Sequence, residues 1–481
     1  MRLFRDVKYV TSGVLASLML SAVRSIVVLR ILGPALMGAW KSALLVDAFS
    51  EFARMGVSKG VGIRVAVLAG KGDEREADRV VAAASAYLLW LGIILGTGIF
   101  SLSYVVSNTD LRVALRCVAF FVALQQIGNL LRDRAAARHL FVVRAKENLL
   151  QSIVDLAAAV VLCKLFGLAG LGAATVLALF VTVLYLQQQQ HIRFQLHLDF
   201  SRIKDLIRVG VPFSLTEAAF ELTRRLDVLL IALLLGSTSV GYYGISLLIM
   251  DFVSILAQKG VSQVLSPHLL HEFGRTASFS EVAVFYEMPA KLFCYVLPPV
   301  LGIGSLLVGD FVRLVLPQYV PGIPAAQITI WAVFFVALHS SISSFFVAAG
   351  MIPVILRFFA LIIPLGAAGQ FVVLKAGLDL PGAAWMTVGT LGVAVLGEMY
   401  LARKSCGYGL SEIVMFLISL LLPLAASILL TTLVEGISQG LAVPAVLADC
   451  IKVLIFLLLY APVLATYEIK FSMLRLVRQT M

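Results

Sequence analysis

Carboxylates and guanidinium groups lying inside apolar runs are the residues of this sequence that can do chemistry. The stretch Leu206–Gly236, LIRVGVPFSLTEAAFELTRRLDVLLIALLLG, carries Glu217, Glu221, Arg224, Arg225 and Asp227. At 100° per residue these five fall within an arc of about 160°, opposite Leu215, Ala219, Leu222, Leu226, Leu229 and Leu230. One charge near a bilayer centre costs about 2.5–3.5 kcal/mol, so the charged face must look into protein or water. Glu221 is an i,i+3 partner of Arg224 and an i,i+4 partner of Arg225, so mutual neutralisation is one reading of the stripe. A hydrated lumen that uses both signs is the other, and it is the one taken here. A second stripe repeats the pattern: Asp47, Glu51, Arg54 and Ser58 lie on one helical face, Leu45, Phe49 and Phe52 on the other. Gly13, Ser17, Ser21 and Arg24 form a third stripe, and Asp251 adds an acid to a later run. Arg357 and His339 are further polar residues inside apolar runs. His339 reads as a hydrogen-bonded structural residue and stays outside the site.

The elements that position these residues follow from composition. The chain has 481 residues, 60% hydrophobic and 14% charged, with formal charge +11. Apolar runs of about 20 residues, enough to cross a bilayer, recur from end to end. They predict an all-α polytopic membrane protein with about fourteen spans: 9–32, 38–66, 80–106, 111–131, 148–166, 168–190, 209–235, 240–266, 283–307, 323–349, 351–376, 382–402, 411–434 and 443–466. Lys and Arg crowd alternate loops, and the opposite loops (GPALM, VSNTD, FGLAG, GSTSV) are nearly bare. By the positive-inside rule both termini are cytoplasmic, and the basic N-terminus with its full-length apolar run reads as an uncleaved first span. The positive charge is spread over short loops, with no basic arm or base-stacking module, so no nucleic-acid partner is expected.

A diverged repeat orders the spans. Leu32, Gly33, Gly38, Leu44 and Leu45 recur as Leu235, Gly236, Gly241, Leu247 and Leu248, an offset of 203. One inserted residue later, Asp47, Ser50, Ala53, Gly56, Val57, Ser58 and Gly70 recur as Asp251, Ser254, Ala257, Gly260, Val261, Ser262 and Gly274. Such an ordered series marks internal duplication. Six spans separate the copies, so both point the same way through the membrane. Parallel repeats of this kind pack as two bundles about an axis along the membrane normal, with a cavity near the midplane. The expected division is a six-helix bundle over 1–190, a cytoplasmic linker over 191–208, a second six-helix bundle over 209–403, and two further helices with a tail over 404–481. The first, second, seventh and eighth spans, which carry the polar stripes, line the cavity. The four glutamines Gln187–Gln190 read as a solvated helix end.

Enzyme chemistry has no visible machinery. No loop is long enough for a folded catalytic domain, and neither a D-x-D pair nor a P-loop is present. No cofactor is expected. His268, His271 and Glu272 resemble a metal spacing but lack a third convincing ligand, and no metal site is assigned. The five cysteines show no paired spacing and read as small buried hydrophobes.

The stretch Leu206–Ser246 resembles the start of the second half of polysaccharide flippases, members of the multidrug/oligosaccharidyl-lipid/polysaccharide exporter superfamily. Leu29–Trp40, LRILGPALMGAW, looks like their first-half equivalent, and Leu314–Ile328, LVLPQYVPGIPAAQI, resembles their outer loop before the tenth helix. The resemblance implies a two-lobed, MATE-like fold of fourteen helices. It also implies a flippase (O-antigen or exopolysaccharide type) that moves undecaprenyl-diphosphate-linked oligosaccharides from the cytoplasmic to the periplasmic leaflet of the bacterial inner membrane. Asp227 matches an acidic position of that branch, whereas Arg225 departs from the small or polar residue expected before the Leu-Asp pair. A lipid-linked sugar carries a diphosphate, and guanidinium binds phosphate oxygens bidentately, so Arg24, Arg54, Arg224 and Arg357 are the candidates for its head. Asp47, Glu51, Glu217, Glu221, Asp227 and Asp251 are assigned to charge balance or to a coupling ion, H+ or Na+. Partners are then lipid-linked oligosaccharide, membrane lipid and a polysaccharide polymerase complex. A cation-coupled multidrug exporter of the same fold, and a non-transporting scaffold of a polysaccharide assembly complex, are the alternatives.

Overall fold

A bilayer offers no partner to backbone N–H and C=O groups, so spanning segments must satisfy them internally, as helices do. The computed structural model describes residues 2–138, 140–192, 194–257, 283–438 and 445–471, and all regular structure among them is helical. Nine of the described helices are long and apolar enough to cross a membrane, or ten if the bent pair Pro317–Thr329 and Ala332–Val347 is one span. The protein is an all-α, multi-pass membrane protein.

The first helix, α1 (Arg2–Ala53), is interrupted at Gly33, whose φ of 70° favours glycine, and Pro34 follows with no N–H to donate. The sequence expects one span over 38–66. The chain instead breaks at Met55 and Gly56, with φ of 47° and 69°, before α2 (Val57–Gly70). Next come α3 (Glu74–Leu102), α4 (Thr109–Ala137) and α5 (Phe141–Gln190). The last is broken at Gly167. One Arg24 nitrogen lies 3.2 Å from both Asp155 and Thr175, on either side of that break. In a straight helix those residues would stand about 30 Å apart, so α5 doubles back and supplies two spans. A loop leads to α6 (Phe200–Leu234), which starts inside the stretch read as linker, and then to α7 (Ser237–Ala257).

After the described residues resume come α8 (Val284–Val315), a 3-10 turn (Pro317–Gly322), α9 (Ile323–Thr329), α10 (Ala332–Ala348), α11 (Ile352–Lys375), α12 (Asp379–Ser405), α13 (Leu410–Ser438) and α14 (Ala445–Phe471). The chain forms two compact units, Met1–Gly244 and Ile245–Met481. The first takes in α6 and the opening turns of α7.

Lipid is as apolar as leucine, so helices hold together in a membrane by close packing and by polar contacts between them. In the first unit, Val57, Val61 and Val65 of α2 pack with Val81, Leu88, Leu130, Leu131 and Leu186 of α3, α4 and α5. Gln190 is buried there, donating to the Leu131 carbonyl at 2.9 Å while Arg134 donates to its own carbonyl. The expectation of a wholly solvated Gln187–Gln190 therefore fails at its last residue. In the second unit, Phe456 and Tyr460 of α14 stack beside Leu306 of α8 and Val434 of α13. The Ser427 hydroxyl of α13 donates to the Pro298 carbonyl of α8 at 2.7 Å. The last two helices thus lean on α8.

Candidate functional site

The part of α1 after Gly33 runs beside α6 in the first unit, and their two polar stripes meet. Helical spacing sets the local pairs. Arg54 holds Glu51 at 2.5 Å, and Glu221 accepts from Arg224 at 2.7 Å and from Arg225 at 2.5 Å. Asp47 accepts from the Ser50 hydroxyl at 3.2 Å and from the Gln125 amide of α4 at 3.4 Å, within Coulombic reach of Arg54 and Arg225. Glu217 takes Lys59 of α2 at 3.0 Å, and both groups act on Glu51. Asp47, Glu51, Arg54, Glu217, Glu221, Arg224 and Arg225 therefore form one charged seam.

Arg54 and Arg224 are each 7% exposed, so their charges depend on these partners. A cavity of about 250 Å³ opens on the seam, lined by Glu51, Phe52, Met55, Val211, Ser214, Leu215 and Ala218. Beside it, Arg225 sits among Leu45, Ala48, Phe49, Phe52, Leu222 and Leu229. The two hollows share Phe52; the larger carries the single carboxylate of Glu51 and the other the guanidinium of Arg225 on an apolar wall.

Both ends of the seam are closed by glycines. At the end nearer Gly33, a Cβ on Gly38 would lie 1.7 Å from the Ser237 carbonyl oxygen, and one on Gly241 would lie 1.8 Å from that of Pro34. The repeat offset of 203 relates Pro34 to Ser237 and Gly38 to Gly241. The contact thus maps onto itself when the copies are exchanged, as a local twofold axis requires. At the other end, a Cβ on Gly210 would lie 1.9 Å from the Gly56 carbonyl oxygen, and one on Gly60 would lie 2.4 Å from that of Leu206. Ion pairs flank this second closure: Lys59–Glu217 and Arg64–Asp205, the latter at 2.5 Å.

Within the first unit, Arg24 and Asp227 have partners outside these seam pairs. Arg24 binds Asp155 and Thr175 of α5, and Ser21 meets Ser152 at 3.3 Å, so this stripe faces α5. Asp227 is 1% exposed and accepts from the Tyr243 hydroxyl at 2.7 Å. Asp251 and Arg357 belong to the second unit, where Arg357 is exposed. The His268–Glu272 run lies outside the described residues.

Sequence reasoning missed Lys59, Gln125, Asp155 and Tyr243, as well as Glu398, which meets His339 at 2.8 Å. Asp155 and Glu398 are acids within apolar runs, so the rule that flagged Asp227 would have flagged them. Lys59, a charge within the run 38–66, would have been flagged by the same rule; Gln125 and Tyr243 carry no such signal, because only tertiary packing brings them to their partners.

Comparison with known proteins now adds to this geometry. Residues 27–282, just over half the chain, match the family described as "Polysaccharide biosynthesis protein". The chain belongs to that family. Of the three stretches that carry the resemblance, Leu29–Trp40 and Leu206–Ser246 lie within the match and Leu314–Ile328 lies outside it. No curated protein matches the sequence.

Among solved structures, the chain is similar to the lipid II flippase MurJ in an inward closed conformation, with TM-score 0.67, 11% identity, and 97% of this chain and 99% of that one covered. It is also similar to a MATE structure in complex with MaL6, with TM-score 0.64, 14% identity, and coverage of 84% and 96%. An outward-facing multidrug resistance MATE family transporter of the MOP superfamily matches with TM-score 0.60, 14% identity, and coverage of 84% and 95%. At such identities the likeness is one of fold, and the fold is MATE-like.

Proposed function

We propose that this protein flips an undecaprenyl-diphosphate-linked oligosaccharide from the cytoplasmic to the periplasmic leaflet by alternating access, for surface polysaccharide biosynthesis. The observation that carries the reading is the charged seam between α1 and α6, closed at both ends, in a chain of a polysaccharide biosynthesis family. The positive charge of alternate loops supports a bacterial inner-membrane protein with both termini in the cytoplasm. The seam then closes toward the periplasm at Gly38 and Gly241, and toward the cytoplasm at Gly56 and Gly210.

The ion pairs suggest how a diphosphate is accepted without stranding a charge. Arg54 and Arg224 rest on Glu51 and Glu221 when no substrate is bound. A diphosphate has the geometry to take over the same guanidinium hydrogen bonds, releasing the carboxylates toward Lys59 and Arg225 or to protons. Neither state leaves an arginine unpaired in a low-dielectric site, where an uncompensated charge costs several kcal/mol. Phe49 and Phe52 offer apolar surface to the start of the isoprenoid. Arg24 and Arg357 act elsewhere on the path, and Asp47, Glu217, Asp227 and Asp251 balance charge. A protein of this kind makes and breaks no covalent bond, so it needs no catalytic residue.

The test is genetic and chemical. Arg54→Ala and Arg224→Ala should abolish surface polysaccharide while the protein stays in the membrane fraction, and the diphosphate-linked intermediate should accumulate in the inner membrane. Normal polymer from both variants would overturn the reading. Accumulation of a soluble drug in a deletion strain, with normal polymer, would favour an exporter instead.

A further inference from the structure

In the first unit, Arg112 and Arg116 lie one turn apart near the start of α4 and take no part in the seam. They adjoin the loop 103–108, on the side of the charge-poor loops. The positive-inside rule disfavours cations there, so two within one turn call for a physical reason. Both side chains are held in place without a carboxylate. Arg112 donates from Nε and one terminal nitrogen to the Val106 carbonyl, at 3.2 Å and 3.0 Å. Arg116 donates from Nε to the Ser103 hydroxyl at 3.3 Å. Its guanidinium carbon lies 5.7 Å from the Phe100 ring centroid and 5.1 Å from that of Tyr104, within reach of cation–π attraction. Phe100 in turn meets Tyr104 and Phe120 edge to face, with centroids 5.8 Å and 6.2 Å apart.

These contacts leave donors over. One terminal nitrogen of Arg112 and both of Arg116 donate to no protein group among the described residues, and no described acid pairs with either guanidinium. By contrast Arg313 and Lys452, which also adjoin charge-poor loops, are each held by Asp310. The face matters as well. Gln125 of α4 reaches Asp47 of the seam, and Arg116 stands about 180° around the helix from it. Arg116 therefore looks away from the seam. The apolar groups around it are open: Phe120 is 62% exposed, Tyr104 65% and Val105 82%.

We propose that Arg112 and Arg116 bind the phosphate of an acidic phospholipid in the leaflet on the charge-poor side. Guanidinium binds phosphate oxygens through parallel N–H donors, and two like charges at i,i+4 repel until an anion joins them. The Nε contacts and the ring stack fix both side chains and leave terminal nitrogens for that anion. A soluble phosphate gains nothing from Phe120, Tyr104 and Val105, whereas a lipid covers them with its acyl chains. Net charge selects among lipids. A zwitterionic headgroup would bring an ammonium to two guanidiniums that no acid compensates, and an acidic one would not. The site faces away from the seam, so the lipid it takes is a resident one rather than cargo.

Native mass spectrometry of the purified full-length protein tests this, with phosphatidylglycerol, phosphatidylcholine of the same chains and inorganic phosphate as probes. Wild type should bind one phosphatidylglycerol about tenfold more tightly than phosphatidylcholine, the scale of one charge-assisted hydrogen bond. Arg112→Gln combined with Arg116→Gln should bring that affinity down to the phosphatidylcholine level. Arg116→Lys should lose part of it, because an ammonium keeps the charge and loses the planar fork. Lys164→Gln removes an exposed cation near another charge-poor loop and should change nothing. Unchanged affinity in the double variant, or no preference in wild type, would overturn the proposal. So would an equal loss in Lys164→Gln, or inorganic phosphate binding as tightly as the lipid. Thermal melting checks each fold, and if the double variant fails to fold, Arg116→Lys decides. No transported substrate is needed, so failure of this site leaves the flippase reading standing, and loss of that reading leaves the lipid site standing.

Discussion

The two ends of the α1–α6 seam are closed by the same device set in different surroundings. At the turn end, Gly38 and Gly241 put backbone on backbone, and the two halves of the contact come from equivalent places in the repeat. At the hinge end, Gly56, Gly60 and Gly210 do the same, but two ion pairs flank the contact and the chain breaks at Met55 and Gly56. Each end lies beside a backbone break, Gly33 followed by Pro34 at the turn end and Met55–Gly56 at the hinge end, so what distinguishes the second is its flanking ion pairs. The turn end is held by backbone contact between glycines at repeat-related positions, and the hinge end adds half-exposed ion pairs to the same kind of contact.

Substitution can break this contrast, and the largest effects belong to the turn end. Gly38→Leu and Gly241→Leu should each push α1 and α7 apart, because no rotamer avoids a Cβ placed on a carbonyl. Surface polysaccharide should be lost in both, to the same extent, with melting temperatures lowered by an amount that reflects overpacking of about 1–3 kcal/mol. Unequal effects would argue against a shared twofold contact.

Gly210→Ala at the hinge end should do less, because the flanking ion pairs still hold that end. Reduced polymer with a near-normal melting temperature is expected, and a collapse matching Gly38→Leu would erase the contrast. Lys59→Glu should weaken hinge-end closure, and adding Glu217→Lys should restore it. For a pair this exposed the coupling is about 0.2–1 kcal/mol, readable as cysteine cross-linking between α2 and α6.

The smallest effect concerns the cap of α6. Asp199 accepts from the Arg202 amide at 3.1 Å, and that amide, with the Arg202 guanidinium, holds its carboxyl below the usual range. The cap therefore supports the helix above the ordinary aspartate range and is lost as pH falls through the lowered value. Asp199→Asn should flatten that acid dependence of melting and leave neutral-pH melting nearly unchanged.

Local rules made much of this legible in the sequence. Apolar length marked the spans, and helical spacing marked Glu221 as a partner of Arg224 and Arg225 and put Glu51 and Arg54 on one face, since i,i+3 neighbours meet in any helix. The offset of 203 marked Gly38 and Gly241 as equivalent before their contact was seen. Other features were hidden because their partners are remote in sequence. Arg24 was read toward a lumen, yet it is held by Asp155, 131 residues away. His339 was read as a hydrogen-bonded structural residue, but nothing near it in sequence names its partner Glu398, 59 residues on.

The sequence by itself determined that this chain enters a membrane as helices, that a residue pattern recurs at an offset of about 203, and that acids and arginines share particular helical faces. Those properties follow from hydropathy and the 3.6-residue period, which act over a few turns. The tertiary structure alone decided which charges neutralise one another, where Gly33, Gly56 and Gly167 break helices, and that glycines close the seam at both ends. Side-chain reach and backbone contact depend on how distant helices pack, and no local pattern carries that information.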